Sequence, residues 1–536
     1  MRWLLALFGD TVIPFEFAGL QAGRDTRGLR FEVPEILHIR NPGEYFIKLG
    51  EQGIILEPEQ RQQTIQEQVE SLAVEVEGEV TPDPALLEEV TNLVEAPVAL
   101  RGSFEPSYLD LPREVLISVM KKHQRYFPVE SAGGLLPYFI TVRNGDHKGM
   151  DLVREGNEHV IRARFADAAF FIREDVQRPL SAYLEKLGTL TFQKKLGSML
   201  DKSRRVTRLV DILSPRLGLE PEELQTALRA AELSKADLAT QMVVEMTSLQ
   251  GTMGRYYARL SGEPQAVAEA IFEHYLPRYS GDQTTQTRPG LAVGLADRLD
   301  TLVGLFAAGM APSGNKDPFA LRRAALGLAL NLIAWDLDLD LAAGVDAAAS
   351  LQPIPISAEQ KQSVLDFIKE RLRNIFLEQG YRYDVVDAVL AEQGHSPARA
   401  MHGIRELSDW VTSPEWASIL PAYARCVRIT RDLTERYPVD PELLVEPAEQ
   451  ALYQGLARAE EDIFPLTPAS STAETQYSVD AFLGAFVPLI PAINRFFEEV
   501  LVMDENERLR RNRLGLLQRI AALARGKADL SKLEGF

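Results

Sequence analysis

At 536 residues, the chain is long enough for about three to five domains of ordinary size. Hydrophobic residues at 46% and charged residues at 25% exclude disorder and fibrous repeats. A net charge of −19 excludes a uniformly basic nucleic-acid coat but not local basic patches, and the single cysteine, Cys426, excludes disulfide frameworks and multi-cysteine metal centres.

Trp3–Phe8 reads as a buried strand that begins abruptly, which suggests a missing upstream segment. Further strand signals lie at Val12–Phe17, Ile54–Leu56, Val98–Phe104 and Tyr138–Val142, each rich in β-branched or aromatic residues. A Gln/Glu-rich helical pattern covers Glu57–Gly78. Residues 51–100 hold twelve acids against Arg61 alone, so this surface repels phosphate and any RNA contact belongs elsewhere.

Beyond about residue 180 the pattern is helical, with apolar residues recurring at three and four. Breaks fall at Pro215–Pro221, Ser261–Pro264, Tyr279–Pro289, Gln352–Pro355 and Phe464–Thr472. The most apolar stretch, Gly290–Ala311, contains Asp297, Arg298 and Asp300, so it reads as core rather than a membrane span.

No phosphate loop, dinucleotide turn or nucleophile elbow occurs, and no histidine pair has zinc-type spacing. Two basic stretches interrupt the acidic background. In Lys186–Arg208, helical spacing puts Lys194, Lys195, Lys202 and Arg205 on one side, above a stripe of Leu196, Met199, Val206 and Leu209. In Glu507–Lys527, Arg508, Arg510, Arg511 and Arg513 follow Asp504, which is placed to cap the helix with Glu507 completing a capping box. Each stretch reads either as a solvated charged face or as a phosphate-binding surface, and two of them in an acidic chain favour a polyanion partner. On this reading, alanine at Arg510, Arg511 and Arg513 weakens that binding without unfolding.

Several segments together carry a resemblance: EAPVALRGSFEPSYLDLPREVLISVMKKHQRYF at 95–127, GNEHVIRARFADAAFF at 156–171 and AELSKADLATQMVVEMTSLQGTMGRYY at 231–257. ADRLDTLVGLF at 296–306, NKDPFALRRAALG at 315–327 and FFEEVLVMDENERLRRNRLGLL at 496–517 complete the set. In this order they resemble the beta subunit of the bacterial heterotetrameric glycyl-tRNA synthetase, here N-terminally shortened. The resemblance implies a multidomain, mainly α protein. Its expected parts are an editing-domain-like α/β (α+β) region at 1–180, an HD-like helical domain at 181–345, a helical linker region at 346–400 and an anticodon-binding-type helical bundle at 401–536.

It also implies a cytoplasmic, noncatalytic, tRNA-binding chain that works with an alpha subunit in an alpha2beta2 assembly. ATP and Mg would be used through the alpha chain, with no cofactor or metal held here. Lys194, Lys195, Lys202, Arg205, Arg508, Arg510, Arg511 and Arg513 are the candidate tRNA contacts. The HD-type positions are degenerate, with Lys235 where an imidazole ligand is wanted and Asp237 and Asp297 as the remaining carboxylates. A structural ion pair beside Lys235 is the expectation, and an HD-type phosphohydrolase acting on nucleotides or RNA is the alternative. Arg322 and Arg323, on a helix expected from Pro318, are read as partners of Asp297 and Asp300. His123 reads as an RNA contact beside Lys121, Lys122 and Arg125, or as a hydrogen-bonded residue next to a strand. Phe496 and Phe497 read as core.

Overall fold

The computed structural model describes residues 3–29, 36–463 and 477–536. The chain forms two compact units, one of residues 1–179 and 240–257, the other of 180–239 and 258–536. Helix dominates, with small sheets confined mainly to the first unit.

The first unit is built on a three-stranded antiparallel sheet in the order Pro97–Ser103, Gly134–Asn144, Phe127–Ser131. Tyr138 pairs with Ser103 and Ile140 with Arg101. The helices Pro58–Val74 and Pro84–Leu93 each start on a proline, whose missing N–H suits a first turn. Their Ile65, Val69, Leu86 and Val90 share a core with the sheet's Phe127, Val129 and Ile140. Gly102 is required by packing, since a Cβ there would lie 2.3 Å from the Phe139 ring.

Three strand expectations need correction. Trp3–Phe8 splits into Leu4–Leu5 and Leu7–Phe8, and Phe8 is 81% exposed. Val12–Phe17 is cut into Thr11–Val12 and Glu16–Phe17 around Pro14, which cannot donate to a ladder. Ile54–Leu56 forms no strand, although Ile55 N–H bonds the Glu95 carbonyl. Phe464–Thr472 lies outside the described residues.

The long helix Met150–Asp175 ends on a buried carboxylate. Asp175 accepts from Gln241 N, Met242 N and Tyr257 Oη at 2.8, 3.0 and 2.8 Å. A buried carboxylate needs such donors, and they come from Thr240–Tyr257. This segment lies inside the expected HD-like domain by sequence yet belongs to the first unit.

In the second unit, Arg288–Ala307 is a central helix against which Met199–Leu217, Pro221–Leu233, Gln265–Glu273, Leu321–Ala334 and Leu341–Ser350 pack. Farther along the chain, one apolar cluster joins Leu372 and Val389 to Ile404, Tyr423, Leu456, Phe482, Phe486, Ile493, Phe496 and Leu517. The expected linker region therefore shares a core with the C-terminal bundle. Phe496 sits in it, as its helical spacing predicts. Val479–Glu499 is apolar and long enough to cross a bilayer, but its Phe482, Leu483 and Phe486 are buried in that cluster.

Candidate nucleic-acid interface and a buried charge centre

The first basic stretch does not make the expected face. Lys194 and Lys195 are exposed in the turn of a hairpin, and the helix starts only at Met199, where Ser198 and Asp201 form a capping box. Lys202 and Arg205 point inward and are buried. Lys202 Nζ lies 2.9 Å from Asp297 and 3.0 Å from Asp300, and donates to Thr301 Oγ1 at 2.7 Å. Arg205 grips Asp300 through Nε at 2.6 Å and Nη2 at 3.2 Å, and donates to the Leu196 carbonyl. Sequence proximity suggested a cationic surface, whereas acids almost a hundred residues away neutralise these two side chains.

Lys235 extends the same centre. Its ammonium donates to Asp297 Oδ2 at 3.0 Å and lies 4.2 Å from the centroid of the Tyr275 ring. It also lies 2.8 Å from His274 Nε2. His274 Nδ1 is 2.6 Å from the Ile271 carbonyl, which can only accept, so the neutral ring carries its proton on Nδ1 and Nε2 accepts from Lys235. Burial and the neighbouring Lys235 charge push His274 well below the ordinary histidine range. Burial also lowers Lys235, despite the attraction of Asp297. Burial alone would raise the Asp297 carboxyl, but the two lysine charges overrule it and hold it well below the usual value.

Arg298 completes the centre by donating to the carbonyls of His274, Gly294, Tyr275 and Leu276. Gly327 makes room for it, since a Cβ there would lie 2.6 Å from Arg298 Nε. Arg322 and Arg323 do not reach Asp297 or Asp300. The Arg322 guanidinium donates to the Gly314 carbonyl, Arg323 is exposed, and the helix begins at Leu321 rather than Pro318, with Asp317 accepting from its first amides.

A metal-dependent phosphohydrolase does not fit these residues. The imidazole and carboxylate lone pairs that would hold a cation converge on the Lys235 ammonium. The other Asp297 oxygen faces Lys202. Among the described residues, no group of three or more His, Cys, Asp and Glu is placed to hold a metal ion. The structural pairing expected at Lys235 is present, and His274, absent from the sequence reading, is its second partner.

The second basic stretch is helical over Glu507–Ala522, but its cap is Asn506, whose side chain accepts from Arg508 N. Asp504 instead accepts from Asn506 N and pairs with Arg513. Arg513 is buried between Glu449 at 2.5 Å and Asp504 at 2.8 Å, so it is structural rather than surface-binding. Arg511 is exposed, paired with Glu507 and 5.5 Å from the centroid of the Tyr437 ring. Arg510 reaches the Asp504 carbonyl, and Arg508 is exposed. Elsewhere, His123 is exposed, while Lys121 and Arg125 beside it pair with Asp83 and Glu89.

Sequence reasoning missed a cleft of about 510 Å³ beside this helix. Its walls include the helices Trp416–Thr430 and Glu507–Ala522, and its lining includes Arg431, Arg436, Arg525, Tyr437, Glu392 and Asp529. Arg431, Arg436 and Arg525 are exposed. The nearest carboxylate to Arg431 is its chain neighbour Asp432, at 3.8 Å. Arg525 belongs to the basic stretch Glu507–Lys527, whereas Arg431 and Arg436 lie outside either stretch and meet it only through the fold.

The cleft of this helical bundle carries more arginines than acids, with Arg431, Arg436, Arg519 and Arg525 against Glu392 and Asp529. Residues 419–528 match the DALR anticodon binding domain. Residues 1–391 match the family described as glycyl-tRNA synthetase beta subunit, and the chain belongs to that family, as a subunit of an aminoacyl-tRNA ligase. It is 43% identical to the glycine–tRNA ligase beta subunit of Moorella thermoacetica, covering 99% of this chain and 77% of that one. The beta subunit of Clostridioides difficile is 40% identical, with 99% and 76% covered. The chloroplastic/mitochondrial glycine–tRNA ligase 2 of Arabidopsis thaliana is 40% identical over all of this chain and 50% of its own length.

Proposed function

We propose that this chain is the noncatalytic, tRNA-binding beta subunit of a glycine–tRNA ligase, required with an alpha subunit for ATP-dependent attachment of glycine to tRNA(Gly). The observation that carries this is the set of exposed cleft arginines in a bundle matching an anticodon-binding domain, in a chain of net charge −19. Phosphate contacts need local arginine or lysine whatever the overall charge. Unpaired bases of a loop, rather than duplex grooves, would supply discrimination.

The assembly is alpha2beta2 and cytoplasmic, with glycine, ATP and Mg handled on the alpha chain. The beta chain contributes by holding the tRNA end in reach, and positioning alone can lower such a barrier by about 7–11 kcal/mol. Residues 1–180 are read as related to an editing-type domain, and 181–345 as an HD-like domain whose polar centre has become an internal ion-pair network.

The test is to mix the chain with a glycyl alpha subunit and measure glycine charging of tRNA. Charging should require both chains, and tRNA affinity should fall as salt rises. Glycine activation or phosphoester cleavage by the purified beta chain alone would overturn the reading.

A further inference from the structure

We propose that two copies of this chain associate through a self-complementary strip beside the helix Glu507–Ala522, an acid-ringed apolar knob of each copy entering the arginine-edged cleft of the other. This self-association goes beyond the tRNA-binding reading and needs no RNA.

One buried cation builds the knob. Arg513 donates to Glu449 at 2.5 Å, to the Leu501 carbonyl at 2.8 Å and to Asp504 at 2.8 Å. Glu449 in turn accepts from Glu446 N at 2.8 Å. The turn at Leu444–Glu446 and the loop from Val500 to Asn506 are thereby held to the same guanidinium. Leu444, Val500 and Val502 are buried, and their neighbours Val445, Leu501 and Met503 are turned out, 56%, 69% and 58% exposed. Leu501 is the most exposed large hydrophobic side chain among the described residues of the second unit. Single exposed apolar residues are ordinary, but three on one clamped frame mark a contact surface.

Charge selects the occupant. Glu442, Glu446, Glu498 and Glu505 are exposed around the knob, and residues 441–449 and 498–508 hold Arg508 as their single cation. Such a rim repels phosphate and suits an apolar hollow edged with positive charge. The cleft of the same bundle is that hollow. Tyr423, Val427 and Leu433 contribute apolar lining, and the exposed Arg431, Arg436 and Arg525 edge it.

Knob and cleft lie at the two ends of one strip. Tyr437 N donates to Gln518 Oε1 at 3.0 Å, Asp440 N donates to Asn512 Oδ1 at 2.7 Å, and Glu449 is held by Arg513. The segment from Tyr437 to Glu449 therefore runs back along the helix from cleft to knob. A two-fold axis through the middle of such a strip sets each knob over the other copy's cleft, a contact that closes at two copies. The helix has 16 residues and is about 24 Å long. A strip of that length falls short of the roughly 800 Å² per partner of a standard interface, so the dimer is weak and reversible.

The experiment is sedimentation velocity on the full chain, freed of RNA, between about 1 and 100 μM, the range that reads micromolar dissociation constants. Wild type should pass from monomer to dimer with no larger species, and added salt should weaken the dimer. Leu501→Asp/Met503→Asp should weaken association tenfold or more, and so should Arg431→Glu/Arg436→Glu. All four side chains are exposed, so circular dichroism should be unchanged. Mixing the two variants should restore measurable heterodimer, because the intact knob of one meets the intact cleft of the other.

A wild-type chain that stays monomeric throughout would overturn the proposal. So would either variant associating as wild type does, or a mixture no more associated than its parts. Loss of alpha-subunit or tRNA affinity in Leu501→Asp/Met503→Asp, with self-association unchanged, would give the knob to that partner and equally overturn it. None of these outcomes touches the tRNA-binding reading, which stands or falls on glycine charging with the alpha chain.

Discussion

Replacing Asp297 by asparagine tests whether the buried centre is an ion-pair network that holds the second unit together. The carboxylate lies 2.9 Å from Lys202 Nζ and 3.0 Å from Lys235 Nζ, and both lysines are buried. Lys202 keeps Asp300 at 3.0 Å, but Lys235 loses its close carboxylate partner. Stripping one partner from a buried pair costs about 3–5 kcal/mol, which sets the scale for Asp297→Asn. Urea denaturation followed by far-UV circular dichroism measures it.

Lys235→Met removes the charge together with its need for a partner. It leaves His274 Nε2 without its donor, a loss of about 1–3 kcal/mol, so it should be the milder change. Because the two side chains touch, the double variant should cost less than the sum of the singles. The loss from Asp297→Asn should also shrink as pH rises toward the ordinary lysine range. Lys235 then sits further below its unfolded value, the unfolded chain binds more protons, and stability climbs with pH. A loss under about 1 kcal/mol, strict additivity, or a penalty that grows with pH would each refute the assignment.

Arg513→Ala should destabilise the C-terminal bundle by about 3–5 kcal/mol, because Glu449 is left buried and unpaired; a melting curve unchanged from wild type would contradict this, and the triple alanine change at 510, 511 and 513 is then a folding test rather than a binding test. Burial lowers Lys527 to about 8. The unfolded chain therefore binds more protons than the native one between about pH 8 and 10.5, and stability should rise with pH across that window. Lys527→Met should flatten that rise in a urea series at stepped pH, leaving the part that Lys235 contributes, and a slope unchanged from wild type would assign it elsewhere.

Much of the architecture was legible from local chemistry. Runs rich in β-branched and aromatic residues located Val98–Phe104 and Tyr138–Val142, and prolines and glycines marked the helix breaks around Pro221 and Pro264. The pairing of Lys235 with an acid was expected only through the family resemblance, from a lysine standing where an imidazole ligand is wanted. What escaped were features decided by distant residues. Lys202 and Arg205 carried the same local signal as an RNA-binding run, but Asp297 and Asp300 claim them from another helix. Arg431 and Arg436 lie about ninety positions before Arg525 of the second basic stretch, and nothing local joined them to it until the bundle assembled all three. His274 was invisible as a partner because it lies 39 positions from Lys235, just past the end of the apolar helix Gln265–Glu273.

The excursion of Thr240–Tyr257 into the first unit bears on synthesis. A nascent chain emerges from its N-terminus, and domains fold as units when their sequence is complete. At residue 180 the ribosome has delivered the Asp175 carboxylate but none of the amides or the phenol that later surround it. The first unit can close only after Tyr257 has emerged, by which time sixty residues of the second are already outside. A stop at 179/180, however natural it looks as a boundary, would strand an anion in an unfinished core.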